Sequence, residues 1–154
     1  MANPSKQKGT AAETAVTKWA RTNGFPGADR QPLRGNRDAG DIALCPGIVL
    51  EVKNHAGAAV GQPRPGLLIE WMAQAELERI NAGAAHCPLI VKRGGTTDPG
   101  RWFAYITVAD FARLVDGRST GLPFGATPWC TSLAHLTQLL RHAGYGDPLG
   151  SYAA

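Results

Sequence analysis

Apolar positions along the chain alternate between two periods. Between 9 and 23, Ala12, Val16, Trp19 and Ala20 recur at the three-to-four-residue spacing of one helix face. Thr10 followed by Glu13 has the form of an N-terminal capping box, and Asn23-Gly24 reads as a helix stop. Residues 25–40 contain Pro26, Gly27, Pro32, Gly35 and Gly40, a turn-rich stretch with room for one short strand near 30–33. Strand patterns at 41–45 and 48–54, joined by Pro46-Gly47, predict a hairpin. A Gly/Ala/Pro loop at 55–66 leads into a helix over 67–82, with Leu68, Trp71, Met72, Ala75 and Ile80 as its core face. Strands at 86–92 and 102–107 follow, separated by a Gly/Thr/Pro loop. A short helix at 108–115 is entered from Thr107, a Gly/Pro-rich loop runs over 117–130, and a final helix spans 131–142. Residues 1–8, polar and basic, read as a flexible arm. This order of elements predicts an α/β fold, a central mixed sheet flanked by helices.

Composition narrows the class without naming a function. With 154 residues, 44% of them hydrophobic, the chain suits one globular core. No apolar run is long enough to span a bilayer, and the N-terminus lacks the apolar segment of a signal peptide, so a cytoplasmic location without a membrane partner is expected. Cys45, Cys87 and Cys130 are widely spaced, without the pairing of a structural zinc site, and are expected as free thiols. The net charge of +4 permits a polyanionic partner. Lys6, Lys8, Lys18, Arg21, Arg30, Arg34, Arg37, Lys53 and Arg64 crowd the first half, either as solvated surface charge or as part of a phosphate-binding face.

The candidate chemistry lies in Gly40-Asp41-Ile42 and Glu51-Val52-Lys53. Side chains two apart on a strand share a face, so Glu51 and Lys53 point together. The hairpin carries Asp41 to the same patch. Charged groups among Val, Leu and Ile are costly, and two neighbouring carboxylates repel; a hard divalent cation relieves both. Asp41, Glu51 and the Val52 carbonyl form a ligand set suited to Mg2+, with Mn2+ able to substitute. Lys53 is placed to orient or deprotonate an attacking water, or to neutralise charge developing on a phosphate. The competing reading is a Glu51–Lys53 surface salt bridge with Asp41 as a turn residue.

Several motifs in order are similar to the archaeal-type Holliday junction resolvases and related phage-encoded nucleases of the PD-(D/E)XK superfamily. The resemblance runs from about Lys8 to Phe111. It covers the Lys8-Gly9-Thr10-Ala11-Ala12-Glu13 helix opening and Gly24-Phe25 at the helix end. It continues through the basic loop Arg30 to Arg37, Gly40-Asp41-Ile42 in place of Pro-Asp-Ile, and Glu51-Val52-Lys53. Ile90-Val91-Lys92 and Trp102-Phe103 complete it. Thr14 stands where the family often has a basic residue, and the segment after Asp110 has no counterpart.

The resemblance implies a restriction-endonuclease-like αβββαβ core over 9–116, with 117–154 as a C-terminal extension carrying one helix. It implies a Mg2+-dependent endodeoxyribonuclease in DNA recombination or repair that acts on branched DNA, four-way junctions above all, as a homodimer. The interface would come from 67–82 or 131–142. Glu13 would join Asp41, Glu51 and Lys53 as a catalytic residue, its alternative being the capping box. Arg30 or Arg34 would grip a phosphate, and Lys8, Arg37, Lys92 and Arg93 would contact DNA. The alternatives are a restriction-like or repair nuclease on linear DNA, and a non-catalytic DNA-binding protein on the same fold.

Other residues are weighed beside these. Asp38 and His55 are read as turn and loop residues, Glu70 as a solvated helix position, and Trp19, Trp71 and Trp102 as core. Gln74, on the helix after the site, is open between a site role and a solvated one. Trp129 is expected in a loop, free to stack on a base or a dimer partner.

Overall fold

In the computed structural model, which describes residues 4–32, 35–54, 61–117, 121 and 124–150, the 41–53 segment is a hairpin within a six-stranded sheet. The strands are β1 (Asp29–Arg30), β2 (Ile42–Cys45), β3 (Ile48–Lys53), β4 (Leu89–Val91), β5 (Phe103–Thr107) and β6 (Pro128–Ser132). They lie side by side in chain order. The helices are α1 (Pro4–Arg21), α2 (Pro65–Ala82), α3 (Val108–Asp116) and α4 (Leu133–His142). β3 and β4 run parallel, and the other neighbouring pairs run antiparallel. A parallel pair needs a crossover, and α2 is that crossover. The chain is therefore α/β with a mixed sheet and helices on both faces.

The two faces differ in size. On one, Ile42, Leu50, Val52 and Ile106 pack with Ala12, Val16 and Ala20 of α1, Leu114 of α3, and Leu136 and Leu140 of α4. On the other, Leu89, Val91 and Tyr105 lie against Leu68, Trp71 and Met72 of α2. β3 is buried on both faces, which accounts for its nearly unbroken apolar run around Glu51. Trp102 is buried, and Trp19 and Trp71 pack partly buried against the two clusters. Thr107 caps α3 as its position suggested, its hydroxyl accepting the Asp110 N–H at 3.0 Å. No helix among the described residues is long and apolar enough to cross a membrane. Cys45, Cys87 and Cys130 are free.

Four expectations are corrected. α1 begins at Pro4, so residues 4–8 are helical rather than a flexible arm. Proline suits a first helical turn because its missing N–H has no helical partner there. Thr10 consequently lies inside the helix, where its carbonyl accepts the Thr14 hydroxyl at 2.8 Å, and no capping box forms at Thr10 and Glu13. Ile80, assigned to the core face of α2, is 59% exposed. The helical spacing through Trp71 and Ala75 reaches Glu78 instead, which is 2% exposed. Finally, 128–132 is a strand, not a loop. β6 pairs with β5 over five residues, places Trp129 opposite Ile106, and packs Trp129 against Phe111 with ring centroids 4.5 Å apart. The segment after 116 thus extends the sheet before supplying its helix.

Candidate active site

Register fixes the site. Glu51 pairs with Leu89 and Lys53 with Val91, so both charged side chains stand on the α2 face, while Leu50 and Val52 fill the α1 face. β2 pairs with β3 only as far as Ile42 opposite Leu50. Asp41 takes over where the strand stops. Its N–H donates to the Leu50 carbonyl at 2.9 Å, and its Oδ2 accepts the Val52 N–H at 2.8 Å. The Val52 carbonyl points to the same side of β3, past the end of the β2 register. Gly40 makes this turn possible. Its φ is +91°, and a Cβ there would sit 3.2 Å from the Val49 Cβ and 3.3 Å from the Leu50 carbonyl oxygen.

The patch is crowded with acid. Glu51 is 3% exposed. Its Oε1 is 2.6 Å from Lys53 Nζ and accepts from Gln74 Nε2 at 3.2 Å. Gln74 also accepts from Lys53 Nζ through Oε1 at 2.9 Å and donates through Nε2 to Glu78 Oε1 at 2.8 Å. Glu78 Oε2 is buried with no partner. Burial, followed by the Glu51 charge, pushes the Asp41 carboxyl up to about 8 against the pull of the Val52 N–H; the Glu13 charge and a hydrogen bond with Glu51 add to the rise. Burial and a hydrogen bond with Glu78 push Glu51 up to about 7, although the charge and hydrogen bond of Lys53 oppose them. One ammonium does not balance the acids around it.

The remaining sequence candidates fall in different places. Glu13 does reach the site. Its Oε2 accepts from Arg30 Nη2 at 2.6 Å and Nε at 3.0 Å, and its charge acts on Asp41. Arg30 is thereby held beside the acids, and the Gln31 N–H binds the Asp41 carbonyl at 2.8 Å. Lys92 and Arg93 follow β4 at the same end of the sheet as Lys53, since the Lys92 N–H donates to the Lys53 carbonyl at 2.9 Å. Lys92 sits over Trp102 and Arg93 over Phe103. Lys8 is exposed on α1, and its carbonyl accepts from Asn54 Nδ2 at 3.0 Å, which ties the start of the helix to the end of β3. Arg37 is exposed in a short 3-10 turn, Gly35–Arg37. Arg34 and His55 lie outside the described residues. Asp38 binds through its carbonyl to Asn81, and Glu70 is exposed.

The sequence reading missed Glu78. Its signal was present, since Trp71, Ala75 and Glu78 share one face of a helix that closes over Glu51. Gln74, left open there, proves to be the link between Lys53 and both glutamates.

The arrangement suits a hard cation on chemical grounds. The Glu51 charge presses on the half-buried Asp41, and Glu78 presses on the buried Glu51, so the patch gathers carboxyl oxygens with little to offset them. Among the described residues no group of three or more His, Cys, Asp and Glu side chains is arranged to hold an ion. The groups that could hold such an ion are the two carboxylates of Asp41 and Glu51 and the Val52 carbonyl, a set that would leave room for water, as Mg2+ prefers. A second acid cluster lies toward the other end of the sheet. His86 Nδ1 is 3.0 Å from Asp110 Oδ1, which also meets Arg113 Nη1 at 3.2 Å. A cavity of about 540 Å³ opens there beside Cys87 and Arg79, and its lining includes none of Asp41, Glu51 and Lys53. No protein-family model matches the chain, and no curated protein or solved structure matches it either.

Proposed function

We propose that this protein is a Mg2+-dependent endonuclease that hydrolyses DNA phosphodiester bonds. In this reading it has a restriction-endonuclease-like core of the PD-(D/E)XK type, with four-way junctions as preferred substrate. The observation that carries the reading is the pair of carboxyls, buried Glu51 and half-buried Asp41, both raised first by burial, Asp41 further by the Glu51 charge and Glu51 by Glu78, with the Lys53 ammonium bonded to Glu51. Such a pair is costly to keep unless a cation joins it.

Asp41, Glu51 and the Val52 carbonyl would hold the ion. When bound, Mg2+ supplies Lewis-acid polarisation of the scissile phosphate. Lys53, fixed between Glu51 and Gln74, is placed to donate to a phosphate oxygen as charge builds on it. Glu13 holds Arg30 at the rim, where the guanidinium can take a neighbouring phosphate in a bidentate grip. Lys92 and Arg93 extend the basic edge beyond Lys53 and suit the flanking backbone. Lys8 and Arg37 are exposed cations with the same use.

Two symmetric nicks in a junction need two copies, so the acting unit is a homodimer. α2 suits the contact better than α4. Its Ile69, Leu77 and Ile80 are exposed, whereas Leu133, Leu136 and Leu140 of α4 are spent in the core.

The test is cleavage of a synthetic four-way junction, a linear duplex and a flap, each with Mg2+, Mn2+ or chelator. Junction cleavage that chelator removes supports the reading. Equal cleavage of linear duplex moves the assignment to a restriction-like or repair nuclease. Binding without cleavage under every metal condition moves it to a non-catalytic DNA-binding protein.

A further inference from the structure

We infer that Glu78 is a positioning residue that sets the orientation of Lys53 through the Gln74 amide. The argument is one of donors and acceptors. A glutamine amide has two donor hydrogens on nitrogen and an acceptor oxygen. Gln74 uses all of these toward the site. Its oxygen accepts from Lys53 Nζ at 2.9 Å, and its nitrogen donates to Glu51 Oε1 at 3.2 Å and to Glu78 Oε1 at 2.8 Å. Turned over, the amide would set its nitrogen against the ammonium and its oxygen against two carboxyl oxygens. Glu51 alone defines one of those contacts, and the longer one. Glu78 provides the shorter, from a side chain that is 2% exposed and held one helical turn away on the same rigid element.

Glu78 is an expensive choice for this task. A buried oxygen with no partner costs about 1–3 kcal/mol, and Glu78 Oε2 is such an oxygen. A methionine or leucine there would pack against the sheet without that cost. What a hydrophobic residue cannot do is accept the Gln74 hydrogen. Glu78 meets neither Lys53 nor the reacting phosphate in this arrangement. It also acts directly on Glu51; the effect on Lys53 inferred here is the one that passes through Gln74, and its catalytic consequence rests on the nuclease reading of the site.

The test uses the full chain and begins without metal or DNA. Lys53 is labelled with an amine-reactive anhydride in competition with the exposed Lys18, and the ratio is read by mass spectrometry. Glu78→Met should raise Lys53 labelling about fivefold while the melting temperature holds or rises, and Glu78→Gln, which keeps an acceptor, should stay near wild type. Gln74→Met should raise labelling too, and the double variant should show no more than the larger single effect. Under the cleavage assay, Glu78→Met should lower kcat about tenfold with KM little changed, and Glu78→Gln should restore it.

Unchanged Lys53 labelling in folded Glu78→Met, or additive effects in the double variant, would overturn the proposal. If Glu78→Met fails to fold, the wild-type Gln74 side-chain amide decides. Two hydrogen-bonded protons protected from exchange support the role, and a freely exchanging amide overturns it. A wild-type chain that cleaves no DNA yet shows the labelling pattern removes the nuclease reading and leaves Glu78 as the residue that orients Lys53.

Discussion

Two partly buried charge clusters, one around Asp110 and one around Asp41 and Glu51, lie against the same sheet, and they have opposite characters. Burial also raises Asp110, but the hydrogen bond and charge of His86, the Thr107 hydroxyl and Arg113 outweigh it, and the carboxyl ends below its ordinary value. Asp41 and Glu51 are driven the other way, to about 8 and about 7, because burial is compounded by acid neighbours and, among the described residues, Lys53 is the one ammonium bonded to Glu51. The first cluster is complete and staples β5 and α3 to the residues before β4. The second is left unbalanced by its partners among the described residues. Burial alone does not set the direction of these shifts; what sets it is whether the partners cancel the charge.

The surrounding packing shows how the second cluster is tolerated. Ile48, Leu50 and Val52 bury their side chains on the opposite face of the same strand. Each such burial contributes about 1.5–3 kcal/mol, which is enough to hold Glu51 in place at a cost of several kcal/mol.

The sharpest way to break the contrast is to remove a member of each cluster. Asp41→Asn and Lys53→Ala should each lower DNA cleavage by about a thousandfold or more while binding persists, measured by gel assays of cleavage and retardation. Full cleavage by either variant would reduce the site to a salt bridge. Next in size is the response to pH. Asp41 and Glu51 hold protons more tightly folded than unfolded, so the folded chain carries extra protons between their ordinary values and their raised ones. Metal-free stability should therefore fall as pH rises through that window, from about pH 4 to about pH 8, and flatten above it. Mg2+ should oppose the fall, and Asp41→Asn should flatten the slope; thermal melts at several pH values, with and without Mg2+, check both.

In the completed cluster, Asp110→Asn should cost about 1–3 kcal/mol of stability in urea unfolding and leave cleavage nearly unchanged. A large loss of cleavage there would erase the distinction between the two clusters. The smallest effect belongs to the rim. Lys92→Ala or Arg93→Ala should lower the slope of log affinity for DNA against log salt by about 1 each, with equal weakening across sequences, read by titration at several salt concentrations.

Much of the fold was legible because the strongest local signals coincide with it. Pro46-Gly47 between two apolar runs placed the hairpin, and the hairpin alone was enough to bring Asp41, Glu51 and Lys53 together. Thr107 marked the start of α3 correctly. The errors arose where tertiary contacts overrode local pattern. Pro128-Trp129-Cys130-Thr131-Ser132 has a glycine- and proline-rich approach and little alternation, and it becomes a strand because β5 offers an edge to pair with. α1 extends back to Pro4 past Gly9, and Asn54 meets the carbonyl of its first turns. On α2, hydrophobicity pointed to Ile80 when spacing pointed to Glu78. A rule that expects carbon in the core passes over a buried glutamate.

Position 40 limits how this chain can vary. Proline fixes φ near about −65°, whereas Gly40 turns the backbone the other way to deliver Asp41. A proline there would redirect the backbone ahead of β2, and any residue with a Cβ would press on Val49 and the Leu50 carbonyl. Libraries for altering the loop before Asp41 should leave residue 40 untouched.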